Sequence, residues 1–170
     1  MEEFVDIYNE QKQKTGNIID KYGPFEKGEY YLTTHIWIKY TDLWLIQKRS
    51  GSRKNNPNKW SVTGGAVKSG ETSIQAAARE LSEELNIRIP IEKFKFVDYY
   101  RQKHSFVDVY LVELTNFYSK IDFNKTEVSD VKWCTEKEII DKYKSEELVQ
   151  SIYPGFQIVN KILQNHKKTY

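Results

Sequence analysis

Three glutamates, Glu80, Glu83 and Glu84, stand three and four residues apart, a spacing that puts their carboxylates on one face of an α-helix. Like charges so placed repel by about 0.2–0.5 kcal/mol per pair. They also crowd the end of the helical stretch, where the helix dipole disfavours each anion by about 0.3–1 kcal/mol. A bound divalent cation removes both penalties. Clustered carboxylate oxygens suit hard cations such as Mg²⁺ or Mn²⁺, and with no His or Cys among them they do not suit zinc. Glu is also a good helix former, and a Glu-rich face is often merely solvated, so these three residues alone leave both readings open.

The surrounding residues narrow the choice. Ile74, Ala77, Ala78, Leu81 and Leu85 form an apolar stripe roughly 120° round the same helix, so the stripe packs on a core and the carboxylates face outward beside it. Upstream lies the turn Gly64-Gly65. From Gly65 the chain reads Gly, five residues, Glu71, seven residues, Arg79-Glu80-Leu81, one residue, Glu83-Glu84, and then, after Leu85-Asn86, Ile87. This stretch resembles the Nudix box, the signature of the Nudix hydrolases, and meets its specified positions save one. Asn86 stands where the box has its second Gly. Asn tolerates the left-handed conformation needed just past a helix end, so the helix stop is expected to survive. Thr63-Gly64-Gly65 replaces the Pro-Gly-Gly common in the family. Neither change touches a carboxylate.

The resemblance implies an α+β Nudix fold, a mixed β-sheet sandwiched between α-helices, over a single domain spanning residues 1–170. It implies a Mg²⁺-dependent hydrolase, with Mn²⁺ an alternative, that cleaves a pyrophosphate linkage in a nucleoside diphosphate derivative or a related diphosphate by metal-assisted attack of water. Carried onto this sequence, the metal ligands are Glu80, Glu83 and Glu84, with the backbone carbonyl of Gly64 completing the shell. The catalytic set is Glu83, Glu84 and Glu127, the general base staying unassigned among the carboxylates. Glu127, six residues before Trp133, is either a further ligand, the base or a solvated loop residue. Asp130 and Asp108 are weaker candidates; Asp108 alternates with apolar neighbours in Phe-Val-Asp-Val-Tyr, which is expected to face it to solvent or into the cleft. Gly65, Glu71 and Arg79 support the site: Arg79 points away from the carboxylate patch by helical angle and pairs with Glu71.

The stretch from Gln47 to Trp60 holds Lys48, Arg49, Arg53, Lys54 and Lys59 with no acid among them. Arg49 and Lys48 are the expected substrate-phosphate contacts; Arg53 and Lys54 read equally well as part of a mobile loop. Asp6 through Gly16, Gly28-Glu29-Tyr30, Ile36-Trp37-Ile38 and Gln47-Lys48-Arg49-Ser50 are similar to the subgroup related to isopentenyl-diphosphate isomerase. That isomerase uses a cysteine in the strand before the box and histidine metal ligands. Trp60 to Gly65 contains no cysteine here, and Tyr31 takes a histidine's place. The alternatives to the hydrolase are therefore this isomerase, or a non-catalytic nucleotide-binding Nudix domain.

Composition excludes several other classes. The chain has 170 residues, 39% of them hydrophobic, and no apolar run near the length a membrane span needs. A net charge of +2 gives no extended nucleic-acid surface. The acidic start Met-Glu-Glu-Phe-Val-Asp is unlike a signal peptide. The single cysteine, Cys134, fits a reducing cytoplasm and reads as a packing residue. The implied partner is a small nucleotide-type diphosphate, and a homodimer is compatible with the sequence. His35, His104 and His166 form no spaced ligand set, although His104 sits in a turn within reach of a substrate.

The elements that must position these residues follow from periodicity. Strands are expected at Phe4–Tyr8 and Asn17–Asp20, paired across a polar turn containing Gly16. Tyr31–Tyr40 and Leu43–Arg49 form a hairpin, Trp60–Thr63 a short strand, and Phe94–Arg101, Ser105–Leu114 and Val128–Trp133 three more. Helices are expected over Thr72–Leu85, from the capping box Thr135-x-x-Glu138 to Lys144, and over Glu146–His166 with a break near Pro154-Gly155. Aromatics on the strands, Tyr30, Tyr31, Trp37, Trp44, Tyr99 and Tyr100 among them, read mostly as core and cross-strand packing.

Overall fold

The chain is built on a sheet that splits to make room for the turn before the box helix. A computed structural model describes residues 3–167, with side chains through residue 165; the side chain of His166 lies outside the described residues. β1 (Phe4–Tyr8) and β2 (Lys14–Asp20) form a separate two-stranded ribbon. The main sheet holds β3 (Tyr31–Tyr40), β4 (Leu43–Arg49), β5 (Trp60–Ser61), β6 (Thr63–Ala66), β7 (Lys95–Arg101), β8 (Ser105–Glu113) and β9 (Val128–Thr135). Three helices complete it: α1 (Ser73–Leu85), α2 (Glu136–Lys144) and α3 (Tyr153–Lys167).

β3 runs parallel to β8 along its length, from Tyr31 opposite Ser105 to Lys39 opposite Glu113. On its other edge it pairs with β4 only next to the hairpin turn, over Ile38–Tyr40. The two strands then diverge, and β5 and β6 fill the fork: β5 pairs with Gln47 and Lys48 of β4, β6 with Thr33–Ile36 of β3. The expected single strand Trp60–Thr63 is thus two strands hinged at Val62, and the second continues through Gly64 and Gly65 to Ala66.

Period-two alternation assigns each face of the sheet to a different helix. Ile36, Ile38, Leu45, Tyr110 and Val112 pack against Ala77, Leu81 and Leu85 of α1. Trp37, Trp44 and Ile46 pack against Ile139 of α2 and Phe156 and Val159 of α3, and the fully buried Cys134 belongs to this cluster. This is the expected α+β sandwich. No described helix is long and apolar enough to cross a membrane.

Three local expectations are corrected. Gly16 lies inside β2, with φ +92°, and the ribbon turns instead at Asn9–Gln13, where Lys12 takes the positive φ and the Asn9 carboxamide accepts from Gln11 and Gln13 N–H. The tail is not a helix broken at Pro154-Gly155: α3 begins at Tyr153, so Pro154 sits in the first turn, where a missing N–H costs nothing. Asp108 faces neither solvent nor cleft; it is 5% exposed and paired with Lys12 Nζ at 2.5 Å. That ion pair ties the ribbon to β8. A second tie joins the ribbon to the loop before α1, where Asp6 accepts from Ser69 Oγ at 2.8 Å and from Gly70 N–H at 3.2 Å.

Candidate active site

Helix α1 is fixed at both ends by its own sequence. Thr72 and Gln75 form a reciprocal capping box at the start. Asn86 closes the helix in the left-handed conformation, φ 51°, with its N–H on Ser82 O. The tolerance expected of Asn at this position is what the backbone displays.

Between these ends Arg79 organises the loop and the carboxylates together. Its guanidinium grips Glu71 with both edges, Nε to Oε1 at 2.8 Å and Nη2 to Oε2 at 2.9 Å, and reaches Ala66 O at 3.0 Å. The expected pairing with Glu71 is present, but Arg79 does not point away from the patch. Nη1 also donates to Glu80 at 2.7 Å and Glu83 at 3.1 Å. A long side chain can curl round the helix surface to reach positions that helical angle alone puts out of range. Burial works against the ionised form of Glu71, but the bonds from Arg79 prevail and hold its carboxyl below the usual range.

The three carboxylates are not equally outward either. The Glu83 side chain is 53% exposed and that of Glu80 13%, while Glu84 as a residue is only 4% exposed. Among the described residues, no cationic side chain makes an ion pair with Glu84. It accepts from Gln47 Nε2 at 2.8 Å and from Gly64 N–H at 3.3 Å, and Gln47 is oriented in turn by Thr63 Oγ1 on its Oε1 at 2.9 Å. Burial, and then the neighbouring Glu80, push the Glu84 carboxyl up to about 8 despite those two donors. Burial likewise raises Glu80, against the pull of Arg79.

Both glycines are required by close approach. A Cβ on Gly64 would sit 2.0 Å from Thr34 O across the fork, and one on Gly65 would sit 2.2 Å from Glu80 Oε1. The two glycines let β6 enter the sheet and let the Glu80 carboxylate rest against the backbone.

These groups open onto a cleft of about 270 Å³. Glu80, Glu83, Glu84, Gly64 and Gly65 line it from the box, and Glu127 lines it from the loop before β9, paired with Arg53. Lys21 reaches in from the ribbon, held by Glu3 at 2.6 Å. The structure therefore brings Glu127 to the carboxylates. Of the two expected phosphate contacts, neither lines the cleft. Arg49 is half-buried and donates to Asn55 O at 3.0 Å; Lys48 points to the opposite face of β4, its Nζ 5.9 Å from the centre of the Trp60 ring. Asp130 is exposed and outside the cleft, and the His104 ring stacks on Phe25. A larger cavity of about 570 Å³ lies between the β3–β4 turn and α2 and α3, around Trp44 and Leu163, away from the box carboxylates.

A NUDIX domain family model matches residues 33–154. The chain belongs to the Nudix family.

Among its Nudix relatives, the uncharacterized Nudix hydrolase lmo0368 of Listeria monocytogenes is 34% identical over 142 residues, which make up 82% of this chain and 83% of that protein. Nudix hydrolase 3 of Arabidopsis thaliana is 30% identical over 152 residues, 81% of this chain, yet the chain spans only 20% of that protein's length. An isopentenyl-diphosphate Delta-isomerase of Aliivibrio fischeri is 28% identical over 166 residues, 85% of this chain and 87% of its own. The crystal structure of DR0079 from Deinococcus radiodurans superposes with a TM-score of 0.75 over 92% of this chain and 99% of that one, and at 23% identity shows the same fold.

Within this Nudix site the departure at Thr63 has a structural use: its hydroxyl turns the Gln47 carboxamide so that the NH₂ end faces Glu84. Gln47 is the residue that sequence reasoning passed over. It is 2% exposed in a strand whose neighbours Leu45 and Ile46 are also buried. A polar side chain at an inward position of an apolar strand was the available signal. Lys21 and Tyr22 gave no such signal, because only the docking of the ribbon brings them to the cleft.

Proposed function

We propose that this protein is a Mg²⁺-dependent hydrolase that cleaves the pyrophosphate linkage of a nucleoside diphosphate derivative or a related diphosphate. The observation that carries the reading is Glu84, a buried carboxylate in a cleft that it shares with Glu80 and Glu83, with no cationic side chain among the described residues in ion-pair contact with it. A buried carboxylate without a counter-charge is costly, and a hard cation supplies what is missing.

Among the described residues no three acidic, histidine or cysteine side chains converge as a ready cage. The reason is visible: Arg79 draws Glu80 and Glu83 to itself. The donor chemistry, oxygen only, still fits Mg²⁺ or Mn²⁺, with Glu80, Glu83, Glu84 and the Gly64 carbonyl as the holding groups. Bound there, the ion would neutralise phosphate charge and favour attack by water. The chain's own residues do the rest. Arg53 and Lys68 line the cleft beside Lys21 as cations for the phosphate oxygens. In this reading Glu127 orients or deprotonates water once Arg53 turns to the substrate. Arg49 adds positive field from behind the wall. We assign the whole chain to one catalytic domain working in the cytoplasm, alone or as a homodimer.

A second reading, the isomerase, is favoured by the isomerase relative. Against it, Trp60 to Gly65 holds no cysteine, and Cys134 is buried, its thiol pushed up to about 11 by burial. The deciding experiment incubates the protein with nucleoside di- and triphosphates, nucleotide sugars, dinucleoside polyphosphates and isopentenyl diphosphate, with Mg²⁺ or Mn²⁺. Metal-dependent phosphate release, lost in Glu83→Gln and Glu84→Gln, supports the hydrolase. Conversion of isopentenyl diphosphate to its isomer without phosphate release would overturn it.

A further inference from the structure

Among the described residues lining the cleft, every side chain is an acid or a cation except two glycines and Tyr22. Charged walls suit a diphosphate and its cations. They do not suit the uncharged part of a substrate. At about 270 Å³ the cleft is also smaller than the roughly 300–1,000 Å³ typical of small-molecule sites, so a group attached to the diphosphate must run out along a wall. Outside the box and the ribbon, the lining offers Lys68 and the pair Arg53 and Glu127, already engaged with each other. The ribbon side offers Tyr22.

Tyr22 is 69% exposed, the most exposed of the large hydrophobic side chains described. A phenol ring left in water at the rim of a cleft is available surface, and the turn that carries it is held by hydrogen bonds. Tyr22 N–H donates to Asp20 Oδ1 at 3.0 Å, and Gly23 N–H closes the same turn on Asp20 O at 2.8 Å. Lys21 is anchored on Glu3, and its Nζ lies 5.2 Å from the centre of the Tyr22 ring, within cation–π range. A cation over one face leaves the other face for a second ring. The ribbon itself is pinned by Lys12 on Asp108 and by Asp6 on Ser69, so the platform stands on a rigid base.

We propose that Tyr22 is a specificity residue: its ring stacks on the planar base of a nucleoside diphosphate and so favours such ligands over diphosphates of aliphatic groups. This rests on the reading of the cleft as a diphosphate site and adds the class of group that the diphosphate carries. Arg53, Lys68 and the box carboxylates treat every diphosphate alike; among the described residues lining the cleft, Tyr22 is the one that distinguishes what is attached.

The test is binding, which does not require turnover. ADP and isopentenyl diphosphate present the same terminal diphosphate on a base-bearing and an aliphatic group. Their affinities would be measured by calorimetry with Mg²⁺ for the wild type, Tyr22→Phe and Tyr22→Leu, with thermal unfolding run alongside to verify folding. The wild type is expected to prefer ADP. Tyr22→Leu is expected to weaken ADP by about 5- to 100-fold, the range of a lost base–aromatic stack, and to leave isopentenyl diphosphate within about twofold. Tyr22→Phe keeps the ring and is expected to keep the preference. An unchanged ADP affinity in Tyr22→Leu, an equal loss for both ligands, or a wild type that binds neither would overturn the proposal. A wild type that shows the Tyr22-dependent preference yet hydrolyses no diphosphate would reject the hydrolase and leave the platform standing.

Discussion

Arg79 offers the sharpest test of how the site is held. It makes five hydrogen bonds, to Glu71 twice, to Ala66 O, to Glu80 and to Glu83. Arg79→Ala strands Glu71 and Glu80, whose side chains are 17% and 13% exposed. Removing one partner of a fully buried pair costs about 3–5 kcal/mol, whereas exposed pairs contribute about 0–1 kcal/mol. For groups this close to the buried limit, but still touched by water, the loss should be about 2–3 kcal/mol. The bond to Glu83, whose side chain is half exposed, should add nothing measurable. At about 2–4 °C per kcal/mol for a domain of this size, the melting temperature should drop by about 4–12 °C. Arg79→Lys keeps the charge but not the two-edged grip, and should recover about half. Urea unfolding with an unchanged m-value and a lowered midpoint would place the loss in the native state. Activity should fall about 10- to 100-fold, because the loop from Ala66 to Glu71 loses its tie to the carboxylate face. If Arg79→Ala melts within about 1 °C of the wild type, the guanidinium is not what holds this loop.

Other predictions are more direct. Gly64→Ala places a methyl 2.0 Å from the Thr34 carbonyl, a backbone atom that cannot swing aside; we expect a loss of at least about 1–3 kcal/mol by urea unfolding, and wild-type stability would refute the fork packing. Lys48→Ala should leave KM and kcat within about twofold, since its amine lies over Trp60 outside the cleft; a large rise in KM would return it to the phosphate contacts. The carboxyl of Glu138 is drawn down to about 2 by Lys132 and then by Thr135, against 4.5 unfolded. Its contribution to stability is therefore full above the unfolded value and lost as pH falls through the folded one. The melting temperature of the wild type should exceed that of Glu138→Gln at about pH 6, with the gap closing toward pH 2; a constant gap down to about pH 3 would contradict the charge pairing with Lys132.

Much of the fold was legible because local periodicity and tertiary environment agree. Tyr31–Tyr40 and Leu43–Arg49 are strands at the boundaries their alternation implies, and Thr72 and Thr135 cap their helices through side chains written in the sequence. Several misreadings share one cause: a contact that the local pattern does not contain. Gly64 and Gly65 read as a turn and proved to be strand, because the divergence of β3 from β4 leaves a fork for them. Asp108 read as a cleft or solvent residue until Lys12, 96 residues away, was found on it. Arg79 read as turned away, but the loop it binds brings it back over Glu80 and Glu83.

The sequence alone determined the family and the carboxylate set, because fixed spacings on one helix dictate which side chains share a face whatever that helix packs on. It did not determine what those carboxylates would experience. That Glu84 is buried on Gln47 while Glu83 stands in water, that Glu127 lines the cleft while Lys48 turns from it, and that the ribbon brings Lys21 and Tyr22 to the rim all depend on the docking of separate elements. Burial, charge compensation and access to substrate belong to surroundings assembled from distant parts of the chain, and so only the tertiary structure decided them.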